Sequence, residues 1–130
     1  MLSKISLPYA IAQMLIMGFD GKAIDEHHPI SDDIEEHGLG GIILFDKNLK
    51  KPEQSKNIES PEQVRKLNQS LQMYASHCRL SEENPLPLFT AVDYEGGFVN
   101  RLKKQYGFPE TLPASIFATL SEKSALIESR

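Results

Sequence analysis

Asp93, Glu95, Gly96, Gly97 and Arg101 lie within the stretch PLFTAVDYEGGFVNR, where an apolar run stops at an acid. Two carboxylates and a guanidinium so close together could do several kinds of chemistry. A pair of carboxylates cleaving a glycosidic bond stands about 5–5.5 Å apart for retention and about 6.5–9.5 Å for inversion. Asp93 and Glu95 could reach such a distance, but residues two apart in a loop rarely straddle a sugar ring. A metal site needs His or further acids close by. His27, His28, His37 and His77 show no ligand spacing and read as surface or capping residues. The plain structural reading is that Asp93 caps a loop by accepting backbone N–H bonds.

These residues must be placed by the elements around them. Leu86 to Val92 and Gly41 to Phe45 are short apolar runs without alternation. Such runs predict strands buried on both faces, as in a parallel sheet covered by helices. Asp93 follows one run, and Asp46 and Asn48 follow the other, a weaker version of the same argument. In parallel α/β folds ligands bind at the carboxyl ends of the strands. Gly96-Gly97 allows positive φ or close approach to a ligand.

The spacing predicts a first helix after Ser6, with Pro8 in its first turn, feeding a short buried strand in MLIMGF. A second helix is expected from Ser31-Asp32-Asp33, with Gly38 ending it. Ser60-Pro61-Glu62-Gln63 carries a capping box, followed by an apolar face of Val64, Leu67, Leu71 and Tyr74 or Ala75. A last helical pattern starts near Ser121. Alternating strands and helices imply an α/β parallel sheet. Residues 46–60 form a long polar loop, in which Lys47, Lys50, Lys51 and Lys56 read as a solvated basic patch.

Several classes drop out on totals. The chain has 130 residues, a net charge of −4 and a pI near 5.5, which gives no electrostatic case for nucleic acid or an anionic membrane. Cys78 is the only cysteine, so no intramolecular disulfide or thiolate cage is possible. The N-terminal apolar stretch is broken by Pro8 before it reaches the roughly 7–15 residues of a signal core. A cytoplasmic location is therefore expected. GLGG at 38–41 precedes a strand and lacks the spacing of a nucleotide loop.

AVDYEGGFVNRL resembles the D-x-E-G-G-x-V-x-R signature of glycoside hydrolase family three, in its β-N-acetylhexosaminidase branch. IAQMLIMGFDG, HGLGGIILFDKNL, SPEQVRKLNQSLQ and GFPETLPASIFATL resemble the family's flanking segments in the same order. The resemblance implies a (β/α)₈ TIM barrel that removes terminal β-linked N-acetylhexosamine with retention, from substrates such as peptidoglycan fragments. It implies that Asp93 accepts hydroxyl bonds from the terminal sugar and that Arg101 is a second sugar contact. Glu95 is expected to organise the loop, and neither acid to transfer a proton. No metal or organic cofactor is implied. Phe98 stands where relatives often carry Arg.

A full barrel takes about 250 residues. Residues 1–130 hold about three strand–helix units, so an N-terminal portion of the barrel is expected, with the barrel incomplete. The family's nucleophilic Asp lies on a later strand and its acid/base on a K-H-F-P-G-like loop, which nothing here matches. The expected chain is thus a segment truncated before the catalytic residues, inactive alone and prone to associate through an open edge. Two alternatives stand beside it: a non-catalytic fragment that only binds sugar or joins another chain, and a small metal-dependent hydrolase using Asp93 and Glu95.

Overall fold

The computed structural model describes residues 5–48, 50–81 and 84–120. Helix α1 (Leu7–Ala12) leads to strand β1 (Ile16–Gly18), helix α2 (Pro29–Glu35), strand β2 (Gly41–Leu44), helix α3 (Pro61–Ser76) and strand β3 (Phe89–Val92). A hairpin follows, made of β4 (Tyr94–Gly96) and β5 (Val99–Asn100), then a 3₁₀ turn and the short helix α4 (Ala114–Phe117). The helix expected from Ser121 lies outside the described residues.

Strands β1, β2 and β3 form one parallel sheet in sequential order, with β2 in the centre. Ile42 stands beside Met17 and Thr90, and Gly41 beside Ile16 and Phe89. Side chains alternate across a strand, so Ile42 and Leu44 share one face and Gly41 and Ile43 the other. The first face packs on the helices. Ile30 and Ile34 of α2, and Leu67, Leu71 and Ala75 of α3, join Ile42, Leu44, Ile58 and Leu88 in one buried cluster. The apolar stripe of α3 is thus the face the spacing marks out, with Val64 and Tyr74 at its margin.

The caps explain where the helices begin. Ser6 Oγ accepts the Tyr9 N–H at 3.4 Å. Ser60 Oγ accepts the Gln63 N–H at 3.2 Å, and Gln63 Oε1 accepts the Glu59 N–H at 2.9 Å. The reciprocal bond therefore reaches one residue beyond the usual box partner. On the exposed side of α3, the Arg65 hydrogen bond holds the Glu62 carboxyl down to about 2.

Two expectations need correction. Helix α2 starts at Pro29, not Ser31: His28 Nδ1 caps it by accepting the Ile30 N–H at 3.2 Å, and Pro29 takes the first helical position. Ser31 lies inside the helix, buried, donating to the Asp25 carbonyl at 2.7 Å. Gly38, with φ +68°, follows the helix end as expected. The second correction concerns the flanking strands. Only β2 is buried; Ile16 is 53% exposed and Phe89 63% exposed. Both lie on the face turned away from α2 and α3, which no layer covers among the described residues. An apolar run reports what a strand is suited to bury, and says nothing of which neighbours lie against it.

GLGG has a packing role. Gly40 takes α1 so closely that a Cβ there would stand 2.3 Å from the Gln13 carbonyl oxygen. The Gly40 N–H donates to the Ala12 carbonyl at 3.1 Å, joining the end of α1 to the start of β2.

Candidate site at the carboxyl ends of the strands

Each parallel strand delivers an acid just past its end: Asp20 after β1, Asp46 after β2 and Asp93 after β3. Strands running the same way must bring these residues to one edge. Three cations meet them there. Lys56 Nζ lies 3.4 Å from Asp20 Oδ1, and Arg101 Nη1 lies 3.4 Å from Asp46 Oδ1. Lys103 Nζ hydrogen-bonds Asp46 Oδ2. Three carboxylates and three cations leave the cluster balanced.

Arg101 spans the site. Its Nη2 is 3.8 Å from Asp93 Oδ2, so one guanidinium reaches the acids that follow β2 and β3. It also lies over the Phe45 ring, 5.6 Å from the centroid, while Lys56 Nζ lies 5.2 Å from the same centroid. Two cations held against one aromatic ring fix its surroundings electrostatically.

The hairpin makes the meeting of Asp93 and Arg101 possible. Eight positions separate them, yet the Arg101 N–H donates to the Asp93 carbonyl at 3.3 Å. Tyr94 pairs with Asn100, and Gly96 with Val99 across an irregular step. Gly96 turns with φ +74°, and a Cβ there would stand 2.5 Å from the Leu112 carbonyl oxygen. The double glycine thus lets the hairpin turn tightly and lie against the segment at Leu112. The signature reads as a loop in the sequence, and the structure makes it a two-stranded lever with Asp93 and Arg101 at its base.

Asp93 and Asp46 differ sharply in exposure. The Asp93 side chain is 46% exposed, so its carboxylate keeps acceptor positions open to an arriving hydroxyl. The Asp46 side chain is fully buried and both its oxygens are engaged. Glu95 lies exposed on β4 and lines a cleft of about 590 Å³ with Phe98, Pro113 and Ser115, a cleft that Asp93 does not line. The two acids therefore do not work as a pair across one cleft. Glu95 makes no side-chain hydrogen bond among the described residues; Gly96, Gly97 and the 2.6 Å Thr111–Tyr94 hydroxyl bond shape the hairpin instead.

Other expected site residues fall into place. Asn48 turns its side chain to the Lys50 N–H, a loop role. Lys56 leaves the solvated patch, since its side chain is only 19% exposed. His28 caps α2, and His27 is exposed beside Glu26. Among the described residues, no group of three or more His, Cys, Asp or Glu is arranged to hold a metal, and no helix is long and apolar enough to cross a membrane. Sequence reasoning passed over Lys103. The sequence held no local signal for it: Arg101 and Leu102 form a bend, and the carboxylate that Lys103 pairs lies 57 positions earlier.

Comparisons with known proteins agree on one family. The family model for the glycosyl hydrolase family 3 N terminal domain matches residues 6–126. The chain is similar to Beta-hexosaminidase A from Pseudoalteromonas piscicida, at 32% identity over 90 residues, which are 69% of this chain and 13% of that protein. Among solved structures it is similar to a glycoside hydrolase family 3 β-N-acetylglucosaminidase from Paenibacillus sp., with a TM-score of 0.69 and 28% identity. That match covers 88% of this chain and 18% of the other. The chain thus spans less than a fifth of the length of either relative.

Proposed function

Since the chain belongs to glycosyl hydrolase family 3, we propose that its strand ends supply the sugar-holding part of a β-N-acetylhexosaminidase. The reaction is hydrolysis of a terminal β-linked N-acetylglucosamine with retention, through a glycosyl ester formed and then hydrolysed. The names of the two relatives, a β-hexosaminidase and a β-N-acetylglucosaminidase, support this class of substrate. The fold reading that goes with it is the first three strand–helix units of a (β/α)₈ barrel. Three sequential parallel strands with α2 and α3 on one face support it.

The observation that carries the proposal is the pairing of half-exposed Asp93 with Arg101 where the strands end. Asp93 accepts hydrogen bonds from the sugar hydroxyls, and Arg101 donates hydrogen bonds to the sugar oxygens. Charged partners make the stronger hydrogen bonds and reject ligands that lack the matching groups. No proton transfer is assigned to Asp93 or Glu95.

The test is a titration of the isotope-labelled chain with N-acetylglucosamine, followed by amide shifts. Shifts are expected at Phe45, Asp46 and from Asp93 to Lys103. Shifts confined to α3, or none at the solubility limit of the sugar, contradict the reading.

A second reading, a non-catalytic chain that associates with another, rests on the uncovered Ile16 and Phe89. Apolar sheet faces and free strand edges favour association. Light scattering is expected to show oligomers growing with concentration, and a monomer throughout would contradict this reading.

A further inference from the structure

Asp46 is the one carboxylate of the site that no ligand can reach. Burying a charge is costly unless it is paired and hydrogen-bonded. Here the pairing is divided: Oδ1 faces Arg101 Nη1 at 3.4 Å, and Oδ2 takes the Lys103 ammonium. Arg101 continues to Asp93, while its Nε is buried with no hydrogen-bond partner among the described residues. A guanidinium free to choose would turn its fork onto one carboxylate and make two parallel bonds. Arg101 instead reaches a different acid with each Nη. Lys103 occupies the oxygen that the fork would otherwise take.

We infer that Asp46 and Lys103 are positioning residues. Asp46 latches Arg101 over Phe45, and Lys103, by holding the second oxygen of Asp46, keeps the far Nη of Arg101 turned to Asp93. This rests on the reading that Asp93 and Arg101 hold the sugar. Lys103 also supplies the charge that neutralises Asp46. The positive charge of Arg101 is then left for Asp93 and the ligand. Without Lys103, Arg101 folds back onto both oxygens of Asp46 and leaves Asp93 without its cation.

Two readouts on the 130-residue chain test the latch: hydrogen exchange at the Arg101 Nε–H, seen by ¹⁵N NMR, and affinity for N-acetylglucosamine. Asp46→Asn and Lys103→Met are each expected to change Nε exchange by about tenfold or more. Each is also expected to weaken the sugar by about tenfold, the loss of one charge-assisted bond. Lys103→Arg restores both, because it returns a cation to Oδ2. Lys103 is partly exposed, so its variants test the latch even where Asp46→Asn fails to fold. Unchanged Nε exchange in the folded variants, or changed exchange with unchanged sugar affinity, overturns the inference. A wild-type chain that binds no sugar counts against the sugar-holding reading, and the Nε exchange then decides the latch by itself.

Discussion

Replacing Asn57 by Ala is expected to cost about 3–4 kcal/mol of folding stability, measured by chemical denaturation. Asn57 is fully buried. Its Oδ1 accepts the Phe45 N–H at 3.0 Å, and its Nδ2 donates to the carbonyls of Phe19 and Gly21, each at 3.0 Å. One side chain thus satisfies three backbone groups just past β1 and β2. Truncation leaves those groups without partners, and each buried orphan costs about 1–3 kcal/mol. Water entering the vacated space recovers part of this, which sets the estimate below the simple sum. The loss should reach the site as well, because Asn57 fixes the backbone of Phe45, the ring on which Arg101 and Lys56 lie. A loss below about 1 kcal/mol would show that the network is not what ties the strand ends together.

Gly40→Ala should destabilise the chain by about 3 kcal/mol, the upper end of what overpacking costs. The added methyl would meet three backbone atoms of Gln13, at 2.3 to 2.6 Å. Backbone cannot swing aside as a side chain can, so α1 must lift from the start of β2. Gly18→Ala is the control. Its Cβ would find nothing closer than 3.8 Å, and its φ is not in the left-handed region. There the substitution removes freedom from the unfolded chain, so stability should hold or rise by about 0.4–1 kcal/mol. Equal effects at the two glycines would contradict close helix–strand approach as the reason for the GLGG run.

The legible parts of the sequence were those decided by neighbours along the chain. The Ser60 cap and the stripe Leu67, Leu71, Ala75 depend on one turn or one helix face and stand as read, though the return bond from Gln63 goes to Glu59. The order from α1 to β3 followed from alternating patterns, whereas the β4–β5 hairpin and α4 read as loop. Asp93 was visible because it ends an apolar run, and Arg101 because the signature resembles a known family. What depends on distant contact was hidden. Pro29 marked the helix start, but the contact that holds the His28 ring in place to cap it was hidden: the Asp20 carbonyl, eight positions earlier, at 2.8 Å. GLGG read as a discarded nucleotide loop because its partner, Gln13, lies 27 positions earlier. Lys56 read as solvated because the ring that draws it in, Phe45, lies just past β2, 11 positions earlier. Asp46 stood only as a weaker version of Asp93, yet its burial and double pairing make it the electrostatic centre of the site.

The most direct measurement is calorimetric titration of N-acetylglucosamine into the wild-type chain and into Asp93→Ala. Asp93 is half exposed, so the variant should keep its fold and change the site alone. Loss of a charged acceptor is expected to cost about 1.5–3 kcal/mol of binding, roughly ten- to a hundredfold in affinity. Equal affinity for the two chains would contradict the claim that Asp93 holds the sugar.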